Sequence, residues 1–214
     1  MRLLPTDDPQ LVLLRHGATE WSQSKRYTGR TDVPLLPSGR AQAVATGQAL
    51  AEYPFAAVFS SPLQRALHTA QLAGHPNPVV DDDLMEWDYG PAEGLTPPEL
   101  NALIGHDFEI FTDGVNNLSP QSDPSATGGK VLGEELADVV ARCRRFIERV
   151  EPILHDGGDV LVVAHGHLLR VLTMVWLDLD PRLASRFELD TTGVSLLGYG
   201  HGRHTLEGWN LPLV

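Results

Sequence analysis

Short runs of apolar residues recur along the chain, and each is bounded by turn-forming residues. Apolar runs of this length, enriched in Val, Leu and Ile, are typical of strands in the core of a sheet. The run at 160–164 is apolar throughout, as in a strand that is buried on both faces. We predict strands at 11–15, 56–60, 79–80, 160–164, 194–199 and 203–209.

Longer segments between these runs place apolar residues at helical spacing. We predict helices over 39–52, 62–72, 97–113, 134–154 and 168–176. Ser38 is the predicted N-cap of the first helix, and Pro62 is predicted to open the second. The pattern is weakest in the third helix and clearest in the fourth, where Cys143 lies on the apolar stripe and is predicted to be a core residue.

Two segments lack either pattern. Residues 21–37 are polar and rich in Gly, Pro and Thr, which predicts a loop. Residues 114–131 form an 18-residue stretch of mainly small and polar residues, predicted to be a flexible loop insertion in a single domain over 1–214. This insertion fits a lid over a site and a disordered surface segment equally well.

Strands that alternate with helices predict an α/β three-layer sandwich, with a mostly parallel central sheet and helices on both faces. In such sheets the ligand binds at the carboxyl ends of the strands. Arg15 and His16 end the first predicted strand, Arg65 follows the second, and His165 follows the strand at 160–164. We therefore expect these side chains to meet at one edge of the sheet.

Length and composition agree with one soluble domain of 214 residues, with 42% hydrophobic and 21% charged residues. The single cysteine excludes an internal disulfide and a cysteine-based metal cluster. No apolar stretch is long enough to span a membrane, and the first eight residues lack the apolar core of a signal peptide. A cytoplasmic location is the resulting expectation.

The formal net charge of −12 argues against nucleic acid as a partner, because binding to a phosphate backbone needs a surplus of Lys and Arg. A small phosphorylated substrate would instead need a local basic pocket within an acidic molecule. The expected partner is therefore a small phosphorylated metabolite, and a homodimer is compatible with the sequence.

The tripeptide Arg15-His16-Gly17 has the composition of a covalent phosphate site. An imidazole can attack phosphorus, a guanidinium can hold phosphate oxygens with two hydrogen bonds, and glycine lets the backbone approach an anion. Arg65 would neutralise further phosphoryl oxygens, and His165 could donate to one of them. The alternative for the tripeptide alone is a structural histidine at a strand end.

A leaving alkoxide also needs a proton. Glu86 lies between the apolar residues Met85 and Trp87, and burial favours the protonated form of a carboxyl group, so Glu86 is a candidate general acid. On local sequence alone, a loop glutamate beside the hydrophobic anchor Trp87 is the stronger interpretation.

Five motifs together resemble, in order and spacing, the histidine phosphatase superfamily, the phosphoglycerate mutase-like family. They are Leu14-Arg15-His16-Gly17-Ala18-Thr19-Glu20-Trp21, Tyr27-Thr28-Gly29-Arg30-Thr31-Asp32, Ser60-Ser61-Pro62-Leu63-Gln64-Arg65-Ala66, Glu86-Trp87-Asp88-Tyr89-Gly90 with Glu93-Gly94-Leu95, and Ala164-His165-Gly166-His167. The resemblance covers about residues 10–200. The residues of these motifs are most similar to those of the acid phosphatase and sedoheptulose bisphosphatase members.

The resemblance implies a phosphohistidine mechanism that needs neither a metal nor a cofactor. By matching position, His16 is the nucleophile and Glu86 is the general acid, and later the base that activates water. Arg15, Arg65 and His165 then complete the phosphate pocket.

The resemblance also implies residues that bind the substrate. These are Ser22, Thr28, Gly29, Tyr89, Gly166 and His167. Ser22 matches a phosphate-contacting polar position in the first loop, and Tyr89 matches the mutase pattern. His167 has two interpretations: it lines the substrate entrance, or it caps the helix that follows.

A phosphatase is favoured over a mutase, because a mutase needs further basic residues over the pocket. Mutases of the family have Asn where this chain has Ser22, and Lys where it has Pro97. Residues 99–131 contain no arginine and only Lys130. We therefore expect an acid phosphatase-like phosphomonoesterase, with a sugar bisphosphatase of the sedoheptulose-1,7-bisphosphatase type or a phosphoglycerate mutase as alternatives.

Other charged residues have simpler interpretations. Lys25, Arg26 and Arg30 could hold a second phosphate or form a solvated loop face. Consecutive residues of an extended segment point in alternate directions, so residues 81–83, all Asp, predict a solvated turn and not a metal site. His201 and His204 are predicted in a surface hairpin. An inactive binding module is disfavoured, because every expected catalytic position is filled.

Overall fold

The computed structural model describes residues 8–115, 118 and 133–211 of the chain. Its strands are β1 Leu11–Arg15, β2 Phe55–Ser60, β3 Val79–Val80, β4 Asp159–Ala164, β5 Val194–Gly200 and β6 Arg203–Leu211. They form one sheet in the order β3-β2-β4-β1-β5-β6. The first four strands pair in parallel, while β5 and β6 are antiparallel to their neighbours.

Seven α-helices connect these strands in the part of the chain that the structure describes. They are α1 Glu20–Gln23, α2 Pro37–Leu50, α3 Gln64–Leu72, α4 Pro97–Ile104, α5 Ile110–Asp113, α6 Leu136–His155 and α7 Gly166–Trp176. Short 3₁₀ turns cover Asp82–Leu84, Gly90–Ala92 and Pro181–Arg186.

Side chains on the two faces of the sheet enter two separate cores, as the alternation of a strand requires. Leu13 of β1 packs in the larger core, together with residues of α6 and α7 such as Cys143. Leu14 of β1 packs in the smaller core, together with Ala66 of α3. The predicted three-layer arrangement is therefore confirmed. Cys143 is fully buried, and burial raises its thiol pKa to about 12.

Several predicted helix boundaries are wrong in detail. Helix α2 begins at Pro37, so Ser38 lies inside the helix and Leu36 occupies the N-cap position. Proline fits there because the first turn of a helix leaves its N–H groups unpaired. Helix α3 begins at Gln64, with Leu63 in the N-cap position, so Pro62 precedes the helix.

The helix predicted over 97–113 is two helices. Gly105 ends α4 in the left-handed conformation, with φ at 84°, and α5 begins five residues later. The segment predicted as a loop over 21–37 contains most of α1. Thr19 and Ser22 form a capping box at the start of that helix, a local signal that the polar composition obscured.

Most of the loop predicted over 114–131 lies outside the described residues. Of the part that is described, Val115 and Leu118 are buried in the larger core. No helix in the described ranges is long and apolar enough to cross a membrane.

Candidate functional site

A cavity of about 500 Å³ opens beside the carboxyl ends of β1 and β4. Its lining includes eight of the predicted site residues: Arg15, His16, Ser22, Thr28, Glu86, Tyr89, Gly166 and His167. The other lining residues are Lys25, Arg26, Tyr27, Pro97, Arg170, Glu188, Leu189 and Asp190. Four cations and three carboxylates line the cavity, so its local balance is positive although the chain is acidic.

His16 is held in one tautomer. Its Nδ1 lies 2.8 Å from the carbonyl oxygen of Gly17, which can only accept a hydrogen bond, so Nδ1 carries the proton. Burial, together with the nearby cations Arg65 and Arg15, holds the pKa of His16 well below its usual range. The imidazole is therefore neutral, and its Nε2 has a free electron pair.

Arg15 contributes a buried donor that has no partner in the described part of the chain. One Nη1–H donates to the carbonyl oxygen of Leu189 over 2.5 Å, which orients the guanidinium. Its Nε is buried and makes no hydrogen bond among the described residues. Because an unpaired buried N–H is costly, this donor suits an anionic ligand. Gly166 leaves room for it, since a Cβ there would lie 3.3 Å from Arg15 Nε.

Arg65 organises the site from a fully buried position behind the cavity lining. Its Nε–H donates to Nδ1 of His165 over 3.1 Å. Its Nη groups donate to the carbonyl oxygens of Thr31, Thr28 and Gly29 at 2.9–3.1 Å. A guanidinium has five N–H groups, so one remains without an acceptor in the described part of the chain.

His165 is also completely buried, and its ring lies 5.3 Å from that of His16. Since Nδ1 accepts from Arg65, the proton is on Nε2, which donates to Ser61 Oγ over 2.7 Å. Burial and the charge of Arg65 hold the pKa of His165 well below its usual range. Sequence reasoning missed Ser61, although the Ser60-Ser61-Pro62 motif contained it.

Glu86 is 4% exposed and is anchored by backbone donors. Its Oε1 accepts from the N–H groups of Trp87 and Leu168, both at 2.9 Å, and its Oε2 accepts from the N–H of His167 at 3.1 Å. His167 and Leu168 are in the first turn of α7, where backbone N–H groups lack helical partners. The helix therefore fixes the carboxyl group at the cavity wall.

The first loop contributes residues in two ways. Ser22 lines the cavity, while its Oγ donates to the carbonyl oxygen of Thr19 over 3.0 Å. Thr28 also lines the cavity, and its hydroxyl donates to the carbonyl oxygen of Arg26. Gly29 is buried beside the cavity lining and contributes its carbonyl oxygen to Arg65.

Tyr89 and His167 form a pair in the cavity wall. The Tyr89 hydroxyl lies 2.5 Å from His167 Nδ1. Burial raises the pKa of Tyr89 well above its usual range, and burial beside Arg170 holds the pKa of His167 well below its own. Both side chains are therefore neutral. Of the two interpretations of His167, cavity lining describes its side chain, whereas the N-cap position of α7 belongs to His165.

Arg170 is the cavity residue that sequence reasoning missed most clearly. It lies on α7, three residues after His167, so the two share a helix face. Its Nε donates to the carbonyl oxygen of Ala184, and its guanidinium lies 4.9 Å from the Phe111 ring centre. The helical spacing from the His165 motif could have revealed it.

Three cations of the first loop take different positions. Lys25 and Arg26 line the cavity, and Arg26 also pairs with Glu99 at 3.0 Å. Arg30 does not line the cavity, because it pairs with Glu134 at 3.2 Å. Of the three cations predicted to hold a second phosphate, only Lys25 and Arg26 therefore line the cavity.

Two of the three Asp residues at 81–83 have structural partners. Asp81 and Asp83 pair with Arg149, and Asp83 also pairs with Arg145 at 2.5 Å. Within the described ranges, no three His, Cys, Asp or Glu side chains are arranged to hold a metal ion. His201 lies in the turn between β5 and β6, while His204 stacks on Trp176 with ring centres 3.8 Å apart.

Comparisons with known proteins agree with this geometry. The model of the histidine phosphatase superfamily (branch 1) matches residues 11–212. An acid phosphatase of Mycobacterium tuberculosis is 36% identical over 195 residues, which cover 90% of this chain and 88% of the relative. A sedoheptulose 1,7-bisphosphatase of Saccharomyces cerevisiae is 33% identical over 205 residues, which cover 82% of this chain and 70% of the relative.

A solved structure has the same fold over nearly the whole chain. It is the product of an open reading frame of Mycobacterium tuberculosis, with a TM-score of 0.84 and 35% identity. The match covers 96% of this chain and 99% of that one. With the family model spanning residues 11–212, these matches establish that the chain belongs to the histidine phosphatase superfamily.

Proposed function

We propose that this protein is a phosphomonoesterase that transfers the phosphoryl group to Nε2 of His16 and then to water. The observation that carries the proposal is the single tautomer of His16, with Nδ1–H on the Gly17 carbonyl and a neutral ring beside two guanidinium groups. A neutral imidazole with a free Nε2 is a nucleophile, and the cations attract the phosphate that it attacks.

In the first step, the electron pair of His16 Nε2 forms a bond to phosphorus while the bond from phosphorus to the ester oxygen breaks. Arg15 and Arg65 stabilise the charge on the phosphoryl oxygens. The leaving oxygen takes a proton from the carboxyl group of Glu86, so an alcohol departs and not an alkoxide.

In the second step, a water molecule replaces the alcohol. The carboxylate of Glu86 takes a proton from this water as its oxygen bonds to phosphorus, and the bond between phosphorus and Nε2 breaks. Inorganic phosphate is released, and Glu86 is protonated again. The enzyme thus returns to its starting state, with Glu86 as acid and then base.

The proposed reaction needs no metal ion. The charge that a metal would supply comes from guanidinium groups, and Glu86 is the one buried carboxylate among the described residues that line the cavity. Turnover should therefore be unchanged by a chelator that removes divalent cations.

The test is hydrolysis of p-nitrophenyl phosphate, with quenching in alkaline detergent to trap the covalent intermediate. We expect His16→Ala to lose more than about 10³-fold in kcat, because the nucleophile is absent. The matched control is His201→Ala in the exposed β5–β6 turn, which should keep the wild-type rate.

The covalent intermediate has a chemical signature. A phosphohistidine is stable in alkali and is lost in acid, whereas a phosphoserine has the opposite behaviour. Equal rates for wild type and His16→Ala, or an acid-stable phosphoenzyme, would contradict the proposal. Loss of activity in chelator would contradict metal independence alone.

A sugar bisphosphatase is the second candidate function. Lys25, Arg26 and Arg170 line the same cavity as His16, so a second anionic group of a substrate would meet cations there. Rates with fructose 1,6-bisphosphate and fructose 6-phosphate discriminate the two functions. A preference for the bisphosphate that Arg170→Gln abolishes would favour the bisphosphatase, and equal rates would favour a broad phosphomonoesterase.

A phosphoglycerate mutase is the remaining alternative. Turnover of 3-phosphoglycerate in the presence of 2,3-bisphosphoglycerate, faster than hydrolysis, would establish it.

For partners and location, we propose a small phosphorylated metabolite and the cytoplasm. The net charge of −12 supports the first, because it disfavours nucleic acid.

A further inference from the structure

The His167 ring has a fixed position in the cavity wall. Three aromatic rings surround it: Tyr27 stacks at 6.3 Å between centres, Tyr89 meets it edge-on at 5.6 Å, and Phe111 lies at 5.3 Å. Its backbone N–H donates to Glu86 Oε2, so its main chain is fixed at the same point. Packing against these rings and the backbone hydrogen bond thus place the His167 ring at the cavity wall.

Only one polar atom of this ring remains for a ligand. Nδ1 is engaged with the Tyr89 hydroxyl at 2.5 Å, while Nε2 has no hydrogen-bond partner among the described residues. Both side chains line the cavity, and Tyr89 is 1% exposed. Whether Nε2 is a donor or an acceptor depends on which partner carries the proton in the Tyr89–His167 bond.

The hydrogen-bond inventory decides that direction. If His167 Nδ1–H donated to Tyr89, the buried Tyr89 hydroxyl proton would need another acceptor, and the described residues offer none. If the Tyr89 hydroxyl donates to Nδ1, both groups are satisfied and the ring proton is on Nε2. The second arrangement leaves no buried polar hydrogen unpaired, and it is therefore the stable one.

We propose that His167 is a specificity-determining residue whose Nε2–H donates a hydrogen bond to an oxygen atom of the alcohol part of the substrate. Tyr89 is the positioning residue, because its hydroxyl group sets the tautomer of His167. The inference rests on the proposed phosphomonoesterase function, which supplies the substrate class. It assigns the preferred substrate as a phosphomonoester of a hydroxylated alcohol, because the donor needs a hydroxyl or carbonyl oxygen as its acceptor.

The charges that face the ring support a neutral donor over a wide pH range. Arg170 lies one helical turn away on α7, and Arg15 lies on β1, so both cations oppose a second proton on His167. Tyr89 is uncharged, and Glu86 is bonded to the backbone N–H of His167 and not to its ring. The preference for hydroxylated substrates should therefore not change with the charge of His167 at or above the usual histidine pKa of 6.5.

The test compares two substrates of equal length, glycerol 3-phosphate and propyl phosphate, which differ only in their hydroxyl groups. We expect His167→Ala to lower kcat/KM for glycerol 3-phosphate about tenfold, through a higher KM. The kcat/KM for propyl phosphate should change less than about twofold. Tyr89→Phe should have the same effect in the same direction, with an unchanged Ki for inorganic phosphate.

Tyr199→Phe is the matched control. It removes the same hydroxyl group from a tyrosine on β5, outside the cavity, whose oxygen is buried and has no partner within the described ranges. Wild-type values are expected for both substrates. If His167→Ala or Tyr89→Phe lowers kcat/KM equally for the two substrates, or lowers it for neither, the proposal is overturned.

A second measurement is independent of turnover. In ¹⁵N-labelled protein, long-range ¹H–¹⁵N spectra distinguish a protonated ring nitrogen from an unprotonated one. We expect an unprotonated Nδ1 and a protonated Nε2 for His167, with mixed tautomers in Tyr89→Phe. A protonated Nδ1 in the wild type would overturn the inference whether or not the protein hydrolyses phosphomonoesters, so the two proposals fail separately.

Discussion

The Nε–H of Arg65 donates to Nδ1 of His165 across 3.1 Å, although 100 positions separate the two residues in the chain. This bond fixes the His165 tautomer and ties the carboxyl end of β4 to the start of α3. The same guanidinium holds three carbonyl oxygens of the first loop. Arg65 thus acts on both the imidazole pair and the loop that lines the cavity.

Arg65→Lys should therefore damage structure and activity together. A lysine has three N–H donors on one atom and cannot reach acceptors arranged around a planar guanidinium. We expect a loss of about 2 kcal/mol in the free energy of unfolding, from buried acceptors left unpaired, and about 10²-fold in kcat. Urea denaturation and steady-state kinetics measure the two effects.

The control for this variant is Arg145→Lys, at an exposed arginine that pairs with Asp83. A surface ion pair contributes little, so both quantities should remain near wild type. Wild-type kcat in Arg65→Lys would show that the guanidinium geometry is dispensable.

Glu86→Gln tests the proton donor. An amide cannot protonate the leaving oxygen, so kcat/KM, which reports transfer of the phosphoryl group to His16 and not the later water step, should fall about 10²–10⁴-fold with a poor leaving group such as an alkyl alcohol. The loss should be smaller with p-nitrophenol, which leaves without a proton. Rates across a series of leaving groups measure this, and an equal loss at every leaving-group pKa would contradict the role of Glu86 as general acid.

Stability should fall as pH decreases below the usual histidine range. The folded-state pKa values of His16, His165 and His167 lie well below 6.5, so each of these rings stays neutral when folded and takes a proton when unfolded. Their neutral state stabilises the fold above pH 6.5, and this contribution is lost as pH falls towards the folded values.

The expected slope is about 1.4 kcal/mol per pH unit for each histidine that protonates on unfolding. Urea midpoints at pH 7.5, 6 and 5 measure it. His167→Phe removes one of these groups, so the variant should have a shallower dependence than wild type. An identical dependence in both proteins would show that His167 does not contribute.

Gly17 and Gly166 should differ in the effect of an added methyl group. A Cβ at Gly17 would lie 2.4 Å from the carbonyl oxygen of Gly39 in α2, which is backbone and cannot move aside. Gly17→Ala should therefore cost about 1–3 kcal/mol of stability. The structure thus gives a packing reason for this glycine, in addition to the predicted approach of an anion.

At Gly166 the nearest atom to an added Cβ is Arg15 Nε, at 3.3 Å. Gly166→Ala should displace the unpaired donor and weaken inorganic phosphate binding about tenfold, with stability close to wild type. Thermal unfolding and inhibition by phosphate separate the two cases. Equal stability losses in both variants would contradict the distinction.

The sequence determined the layers and the order of the strands along the chain, and eight of the residues predicted for the site line the cavity. Apolar runs predicted the strands because a strand that is buried on both faces is mainly apolar, and strand ends placed Arg15, His16 and His165 at one edge. Helix boundaries were less accurate. Gly105 and the Thr19 capping box act through backbone geometry and single hydrogen bonds, which composition does not show.

Only the tertiary structure decided which charged residues line the cavity and which tautomer each buried histidine adopts. Arg30 and Arg170 are both cations near a motif, yet one pairs with Glu134 and the other lines the cavity. The tautomer of His165 follows from its hydrogen bond with Arg65, which is distant in the sequence. The tautomer of His16 follows from the direction of the neighbouring Gly17 carbonyl group. Hydrogen-bond direction and burial depend on contacts that form only when distant segments pack together, so a one-dimensional pattern of residues cannot specify them.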